Sequence, residues 1–368
     1  MTNIGTLIVG IVGIFLAQDA AGQTSGSSQP AVGEVEGSRW SVLPLVSYAP
    51  ETSVQGALTG VYTFGIPDTD GRVVRRSNIN LASSYTLKNQ FVFSVAPTIY
   101  WARWRLAAGL LGLDYPDVFF ALGPESPSES AEAFEQRGGQ LSVTVERRVI
   151  GDLSLGVGVV AFLANVVQRE PGGQLASGVE GGNGAAAVGV GPSVVYDSRD
   201  REFSPEHGGR HVVSFQAFGP VAKDTHAFAQ LILDLRHFVA IRNSSHVIAL
   251  QAYVSEAYGR PPFQVTPTLA GEGRMRGFLT TRFRDLAVAS AQIEYRTALM
   301  WRFGGALFAG GGNVASDLSQ LTATTPKGAF GAGLRFLLDK NDHIMARLDV
   351  GHTNTGDTNL YISVGDAF

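Results

Sequence analysis

Short segments in which apolar and polar residues alternate recur along almost the whole chain. In residues 141–146 (Leu-Ser-Val-Thr-Val-Glu) every second residue is apolar, and residues 231–236, 291–296 and 344–350 show a similar pattern. Successive side chains of a β-strand point to opposite faces, so each segment predicts a strand with one apolar and one polar face. In a soluble sandwich the apolar face would meet a core, whereas in a membrane barrel it would meet lipid. Alternation by itself leaves both folds open.

The lengths of the predicted connections favour the membrane barrel. Long connections alternate with shorter ones, and the long ones cover 113–137, 168–184, 257–285 and 313–327. The shorter ones lie near 102–103, 149–151, 241–244, 299–302 and 339–342. Long loops on one side of the membrane and short turns on the other are typical of outer-membrane barrels. Three connections depart from this asymmetry, namely 65–74, 87–88 and 197–208.

The alternating segments give sixteen predicted strands, an even number as in single-chain bacterial barrels. They lie near 42–48, 53–64, 75–86, 89–101, 104–112, 138–148, 152–167, 185–196, 209–219, 226–240, 245–256, 286–298, 303–312, 328–338, 343–351 and 359–368. The sequence therefore predicts an all-β fold, a transmembrane antiparallel β-barrel that forms one domain over residues 40–368.

Composition narrows the functional classes. Only 16% of the residues are charged, against about 25% in an ordinary globular protein. The net charge of −4 lacks the basic footprint of a nucleic-acid-binding protein. The chain has no Cys, no Gly-x-Ser-x-Gly motif and no His-Glu-x-x-His motif. We therefore expect no catalytic residues, no metal site, no cofactor and no nucleic-acid partner, and we expect the charged residues near 197–200 to form a solvated turn.

Residues 1–22 are predicted to be a secretory signal peptide. The apolar run at 4–16 has the length of a signal h-region, and the small residues at 17–22 suit a signal peptidase, although no Lys or Arg precedes the run. A membrane anchor is the alternative, but roughly 13 residues are too few for a helix to cross a hydrocarbon core of about 30 Å. Residues 23–39 are polar and lack periodicity, so they are predicted to form a disordered lead-in.

Five segments, taken in order, carry a family resemblance. They are 43–52 (Leu-Pro-Leu-Val-Ser-Tyr-Ala-Pro-Glu-Thr), 115–123, 196–210, 269–278 (Leu-Ala-Gly-Glu-Gly-Arg-Met-Arg-Gly-Phe) and 365–368 (Gly-Asp-Ala-Phe). Together they resemble the BamA/TamA superfamily of bacterial surface-antigen barrels, and more closely its stand-alone members that lack POTRA repeats. The resemblance covers about 40–368, essentially the whole predicted barrel.

The resemblance implies a loop that is inserted into the barrel lumen. The residues that match the tip of this loop are Met275, Arg276, Gly277 and Phe278. The family usually has Val or Leu where Met275 stands. In the family the Arg pairs with an acidic residue on the inner face of the next strand, and Glu294 stands at that position. A second acid is often found one strand further on, where this chain has Gly310, so the resemblance implies one carboxylate partner for Arg276.

The last predicted strand resembles the terminal signal that the outer-membrane insertion machinery reads. The residues of this signal are Leu360, Ile362, Val364 and Phe368. Asp366 interrupts the apolar set near the expected edge of the membrane.

The resemblance implies a non-enzymatic barrel in the outer membrane of a Gram-negative bacterium that assists protein assembly or export. The mechanism would use a weak contact between the first and last strands, because unpaired groups at a sheet edge can template an incoming strand. The implied partners are outer-membrane lipids, the insertion machinery during biogenesis, and client outer-membrane proteins. Without POTRA repeats no docking site for clients is evident, so a pore-forming or structural barrel without assembly activity is the alternative.

Overall fold

The computed structural model describes residues 38–67, 71, 73, 76–127, 130–201, 204–221, 225–241, 246–271, 273–339 and 344–368. The predicted signal peptide, 1–22, and all but the last two residues of the predicted lead-in, 23–39, lie outside the described residues. Within the described part there is no helix that is long and apolar enough to cross a membrane.

The described residues form 16 antiparallel strands that close into one barrel, in which each strand pairs with its neighbours in the sequence and β1 meets β16. The strands are β1 (Arg39–Ala49), β2 (Ser53–Gly65), β3 (Arg76–Thr86), β4 (Phe91–Trp101), β5 (Trp104–Phe119), β6 (Glu132–Ile150), β7 (Leu153–Arg169), β8 (Gly184–Asp197), β9 (Gly208–Pro220), β10 (Phe228–Ile241), β11 (His246–Gly259), β12 (Ala287–Met300), β13 (Phe303–Ala315), β14 (Lys327–Asp339), β15 (Ile344–Thr353) and β16 (Thr358–Val364). A short 3₁₀ helix, Leu318–Ala323, lies between β13 and β14. The predicted fold class and strand number are confirmed.

The two faces of the wall differ in polarity in the way that a membrane barrel requires. On β11 the side chains of Ala249, Gln251 and Tyr253 are buried inside the barrel, whereas Leu250 is 40% exposed on the outside. Large apolar side chains such as Val157 are exposed on the outer face of the other strands in the same alternating pattern. An apolar exterior around a polar interior suits contact with hydrocarbon, because lipid favours apolar side chains and the backbone groups are paired within the closed sheet.

The short turns and the tryptophans define one end of the barrel. The turns at 102–103, 151–152 and 301–302 lie at the end from which β1 starts and at which β16 stops. The four tryptophans of the sequence lie at this same end: Trp40, Trp101, Trp104 and Trp301. Short turns face the periplasm in outer-membrane barrels, and aromatic residues concentrate at the membrane interfaces. We call this the periplasmic end.

The predicted loop at 113–137 is wrong, because β5 and β6 continue well into it. β5 runs to Phe119 and β6 starts at Glu132. The rings of Phe119 and Phe134 pack edge to face on Phe263, with centroids 5.2 and 5.4 Å away. Phe263 belongs to the connection between β11 and β12. The extended hairpin of β5 and β6 therefore packs on the buried Phe263 ring, and this contact stabilises the continuation of both strands.

The predicted last strand, 359–368, is wrong at its end. β16 stops at Val364, and Gly365 takes a left-handed conformation (φ 88°) that turns the chain into the lumen. There Phe368 is only 7% exposed and packs with Phe238 and Ala249. Had the strand continued, Asp366 would have faced lipid, where a carboxylate is costly. In the lumen its carboxylate pairs with Arg296, Oδ2 to Nη1 at 3.0 Å.

Removing the Phe263 ring should remove the packing contact between the extended β5–β6 hairpin and the connection between β11 and β12. For Phe263→Ala we expect the free energy of unfolding to fall by about 3–5 kcal/mol, because a large buried side chain leaves a cavity. Urea unfolding of the barrel in lipid vesicles measures this. Phe93→Ala is the control, since Phe93 is 40% exposed on the outer face. Equal losses in both variants would contradict a packing role for Phe263.

Candidate functional site in the lumen

The connection between β11 and β12, residues 260–286, enters the barrel, and we call it the inserted loop. Phe263, Leu269 and Phe278 are fully buried within it. Its tip, residues 275–278, is a tight turn in which Met275 has φ 50° and Gly277 has φ 122°. The Phe278 N–H donates back to the Met275 carbonyl at 3.3 Å. The loop therefore lies packed inside the lumen.

Arg276 at the tip is completely buried and bonded to two carboxylates. Its Nη2 lies 2.5 Å from Glu294 Oε2 on β12, and its Nη1 lies 2.6 Å from Asp349 Oδ2 on β15. All three side chains have no exposed surface. A charge in such surroundings is tolerable only when it is paired and hydrogen-bonded. The planar guanidinium suits this because its donors point in fixed directions.

The Phe308 ring covers one face of the same guanidinium. The Arg276 Cζ lies 3.7 Å from the ring centroid, which is a cation–π contact. Phe308 projects from β13 into the lumen. The guanidinium thus has carboxylates in its plane and an aromatic ring on its face.

The second carboxylate partner of Arg276 was missed from the sequence. The family pattern placed it on β13, where Gly310 stands. A Cβ at Gly310 would lie 3.0 Å from the Ala291 carbonyl oxygen and 3.1 Å from Met275 Sδ, so the neighbouring strand and the loop tip both lie close to this glycine. The acid comes instead from Asp349. The available signal was the alternation in residues 344–350, which assigns Asp349 to the polar, lumen-facing set.

These ion pairs continue into a larger network that we call the Arg276 cluster. Its members are Arg276, Glu294, Arg296, Arg335, Arg347, Asp349 and Asp366. Arg335 joins the two acids, with Nη1 2.5 Å from Asp349 Oδ1 and Nη2 3.4 Å from Glu294 Oε2. Arg296 Nε lies 2.7 Å from Glu294 Oε1. The cluster therefore connects the loop tip to β12, β14, β15 and the chain segment after β16.

The last strand also holds the backbone of the loop tip. The Gly277 N–H donates to the Tyr361 hydroxyl at 3.0 Å, and that hydroxyl donates to the Phe278 carbonyl at 3.2 Å. Asn359 Nδ2 donates to the Gly277 carbonyl at 2.6 Å. Tyr361 and Asn359 both lie on β16. Sequence reasoning missed them, although both belong to the set of β16 residues that alternates with the outward-facing Leu360 and Ile362.

A second arginine anchors the other end of the inserted loop. Arg284 is buried, its Nη1 donates to the Phe263 carbonyl at 2.8 Å, and its guanidinium faces the rings of Phe119 and Phe263. Burial lowers the pKa of Arg284 to about 10, so it stays charged at neutral pH. Arginines in the lumen therefore hold the loop both at its tip and near its junction with β12.

The structure separates the residues of the predicted terminal signal. Leu360 and Ile362 are exposed on the outer face, whereas Phe368 is buried in the lumen. The side chain of Val364 lies outside the described residues. A role of these four residues in insertion of the unfolded chain stays a prediction.

A family model describes most of this barrel. The model of the Omp85 superfamily domain matches residues 75–365, which include the inserted loop and the Arg276 cluster. The chain belongs to the Omp85 superfamily. The family and the BamA-like fold are those of assembly and transport barrels in the outer membrane of Gram-negative bacteria. No curated protein matches the sequence.

Solved structures of this superfamily share the fold at low sequence identity. The barrel is similar to BamA from Haemophilus ducreyi lacking POTRA domains 1–3, with 13% identity, a TM-score of 0.63, and coverage of 97% of this chain and 78% of that chain. It is also similar to CdiB from Escherichia coli, with 14% identity, a TM-score of 0.60, and coverage of 89% and 63%. A third similar structure is CdiB from Acinetobacter baumannii, with 11% identity, a TM-score of 0.56, and coverage of 89% of this chain and 59% of that chain. The chain thus spans about three-fifths of either CdiB chain.

Truncating Arg276 should release the loop tip and leave two buried carboxylates with one cation fewer. For Arg276→Ala we expect the free energy of unfolding to fall by about 3–5 kcal/mol, as when one partner of a buried ion pair is removed. We also expect higher single-channel conductance in planar bilayers. Arg282→Ala is the control in the same loop, because Arg282 pairs with the partly exposed Asp357. Unchanged conductance and stability in Arg276→Ala would rule out a lock at this residue.

A methyl group at Gly351 should displace the loop tip without removing any charge. A Cβ there would lie 2.5 Å from the Arg276 carbonyl oxygen and 2.8 Å from the Gly277 nitrogen. These backbone atoms can move away only if the loop tip itself shifts. We therefore expect Gly351→Ala to lower the free energy of unfolding by about 1–3 kcal/mol and to raise conductance. Gly328→Ala is the matched control, because its nearest neighbour would be 3.9 Å away. Equal behaviour of the two variants would contradict the close fit at Gly351.

Proposed function

We propose that this barrel assists the assembly or export of outer-membrane proteins by pairing their strands at the contact between β1 and β16, which we call the seam. The observation that carries the proposal is the incompleteness of this contact. Among the described residues the seam has one register pair, Tyr48 with Ile362. Across the neighbouring contact, β1 pairs with β2 from Arg39 to Ala49.

The inward turn of the chain after β16 accounts for the open part of the seam. In this antiparallel register Val364, two residues after Ile362, would lie opposite Val46. The strand β16 ends at Val364. Residues 39–45 of β1 therefore extend past the end of their neighbour. This open edge lies at the periplasmic end, on the side from which an unfolded client arrives.

An open strand edge has a specific chemical capacity. Its unpaired N–H and C=O groups can bond to the backbone of another strand, whatever the side chains of that strand are. Hydrocarbon makes such groups costly when they stay bare, so pairing with a client strand would be favourable there. Pro44 lacks an N–H, which limits how many bonds this edge can make and favours a reversible contact. The partners that we propose are client outer-membrane proteins and surrounding lipid, with the insertion machinery acting during the biogenesis of the barrel itself.

The inserted loop weighs against a permanently open pore. It places fully buried apolar residues such as Leu269 and Phe278 inside the barrel. Its tip is bound to β12, β15 and β16 at once. A polar lumen conducts only where water can pass, and the inserted loop takes up part of that space.

A disulfide across the seam tests the proposal directly. The chain has no Cys, so Tyr48→Cys combined with Ile362→Cys introduces a single cross-link. Cells that depend on the double variant should lose other outer-membrane barrels from the membrane, as measured by quantitative mass spectrometry normalised to inner-membrane proteins. A reducing agent should restore their levels.

The control places the same cross-link between two strands that stay paired. Leu58 and Ser83 lie opposite each other on β2 and β3. Leu58→Cys with Ser83→Cys should leave the outer-membrane proteome unchanged. Normal levels of all other barrels in the seam-locked strain would refute the proposal and leave a structural role.

A further inference from the structure

A cavity of about 170 Å³ opens in the wall of the lumen at the periplasmic end. It lies between the turns at 102–103 and 151–152 and the first residues of β9. The arginines that line it are Arg103, Arg105, Arg148, Arg199 and Arg210, and the carboxylates are Glu146, Asp152 and Asp197. Five cations against three anions leave the described lining with a formal charge of +2.

Two of these carboxylates are already engaged. Arg105 Nη1 lies 2.9 Å from Glu146 Oε1. Arg199 binds both oxygens of Asp197, with Nε 2.9 Å from Oδ1 and Nη2 2.8 Å from Oδ2. Arg199 is only 9% exposed, so the solvated turn predicted at 197–200 is wrong for this residue. Its side chain turns towards the cavity because Asp197 faces the lumen at the end of β8.

Arg210 is a buried cation that this arrangement compensates only in part. Its side chain is 5% exposed, and its Nε lies 3.8 Å from Asp197 Oδ2, the oxygen that Arg199 already bonds at 2.8 Å. Across the sheet Arg210 stands opposite Arg236. The carboxylate of Asp234 on the same strand is already bonded to Arg236, at 2.6 Å. A buried cation that shares one carboxylate and faces a second cation is costly without a further anion.

We infer that this cavity is a binding site for a phosphate group, with Arg210 as its inner ligand. Guanidinium groups match the oxygens of phosphate because two parallel N–H donors can bond one anion. Arg103 and Arg148 are exposed at the mouth, where they attract an anion from the periplasmic side.

The position of the mouth admits two sources for this group. Trp101 and Trp104 stack at the rim, with ring centroids 6.4 Å apart, at the level where lipid head groups lie. The phosphate of a lipid head group can therefore reach the mouth from the membrane. Free phosphate can reach it from the periplasm. The chemistry of the site is the same in both cases.

Binding is measured by isothermal titration of the purified full chain in a neutral detergent, in phosphate-free buffer at constant ionic strength. One arm uses inorganic phosphate, and the other uses short-chain phosphatidylglycerol with the uncharged diacylglycerol as its reference. We expect saturable binding in at least one arm. For Arg210→Gln we expect affinity to fall by about tenfold, the loss of one charge-assisted contact.

Two further variants keep the result interpretable. Arg210→Lys preserves the charge and should fold, and it should bind more weakly than the wild type because it lacks the fork. Arg137→Gln is the control, since Arg137 lies on the extended hairpin at the other end of the barrel and pairs with Asp114 and Glu135. Binding in the lipid arm alone assigns a head group, and binding in both arms assigns any phosphate. Absence of binding in both arms, or equal affinities in the wild type and Arg210→Gln, would overturn the site.

Discussion

The bonding of one buried guanidinium to two carboxylates on different strands is the interaction on which the interior of this barrel depends. Arg276 is tolerable in its buried position only because Glu294 and Asp349 both reach it. That requirement sets the position of the loop tip, and the tip in turn leaves no room for a Cβ at Gly351. The inserted loop, the wall from β12 to β15, and the chain after β16 are thereby joined in one network of charges.

The same network of charges limits the pairing between β1 and β16 at the seam. Asp366 bonds Arg296 in the lumen, so the chain after Gly365 is held inside and β16 cannot lengthen. The partner edge of β1 remains open at residues 39–45. One side of the barrel is therefore linked by buried ion pairs, while the adjoining edge keeps unpaired backbone groups. A client strand could use that edge without disturbing the wall that anchors the loop.

Much of the fold follows from the sequence because lipid outside and a polar lumen inside impose period-two alternation on every strand. The strand number and the meeting of Arg276 with Glu294 both come from that pattern and the family motif. Asp349 was missed because its contact is made across the lumen, where spacing along the chain carries no information. The length of β5 and β6 depends on Phe263, far away in the sequence. The inward end of the chain depends on the local turn at Gly365 and on where Asp366 finds cations.

Backbone hydrogen–deuterium exchange of the barrel in lipid vesicles tests the contrast between wall and seam most directly. We expect rapid exchange for the β1 amides at 39–45 that point towards β16. We expect slow exchange for the β12 amides at 287–300 and for the loop tip at 275–278. Equally slow exchange in β1 and β12 would show a fully paired seam. That result would contradict an open edge and, with it, the proposed route for client strands.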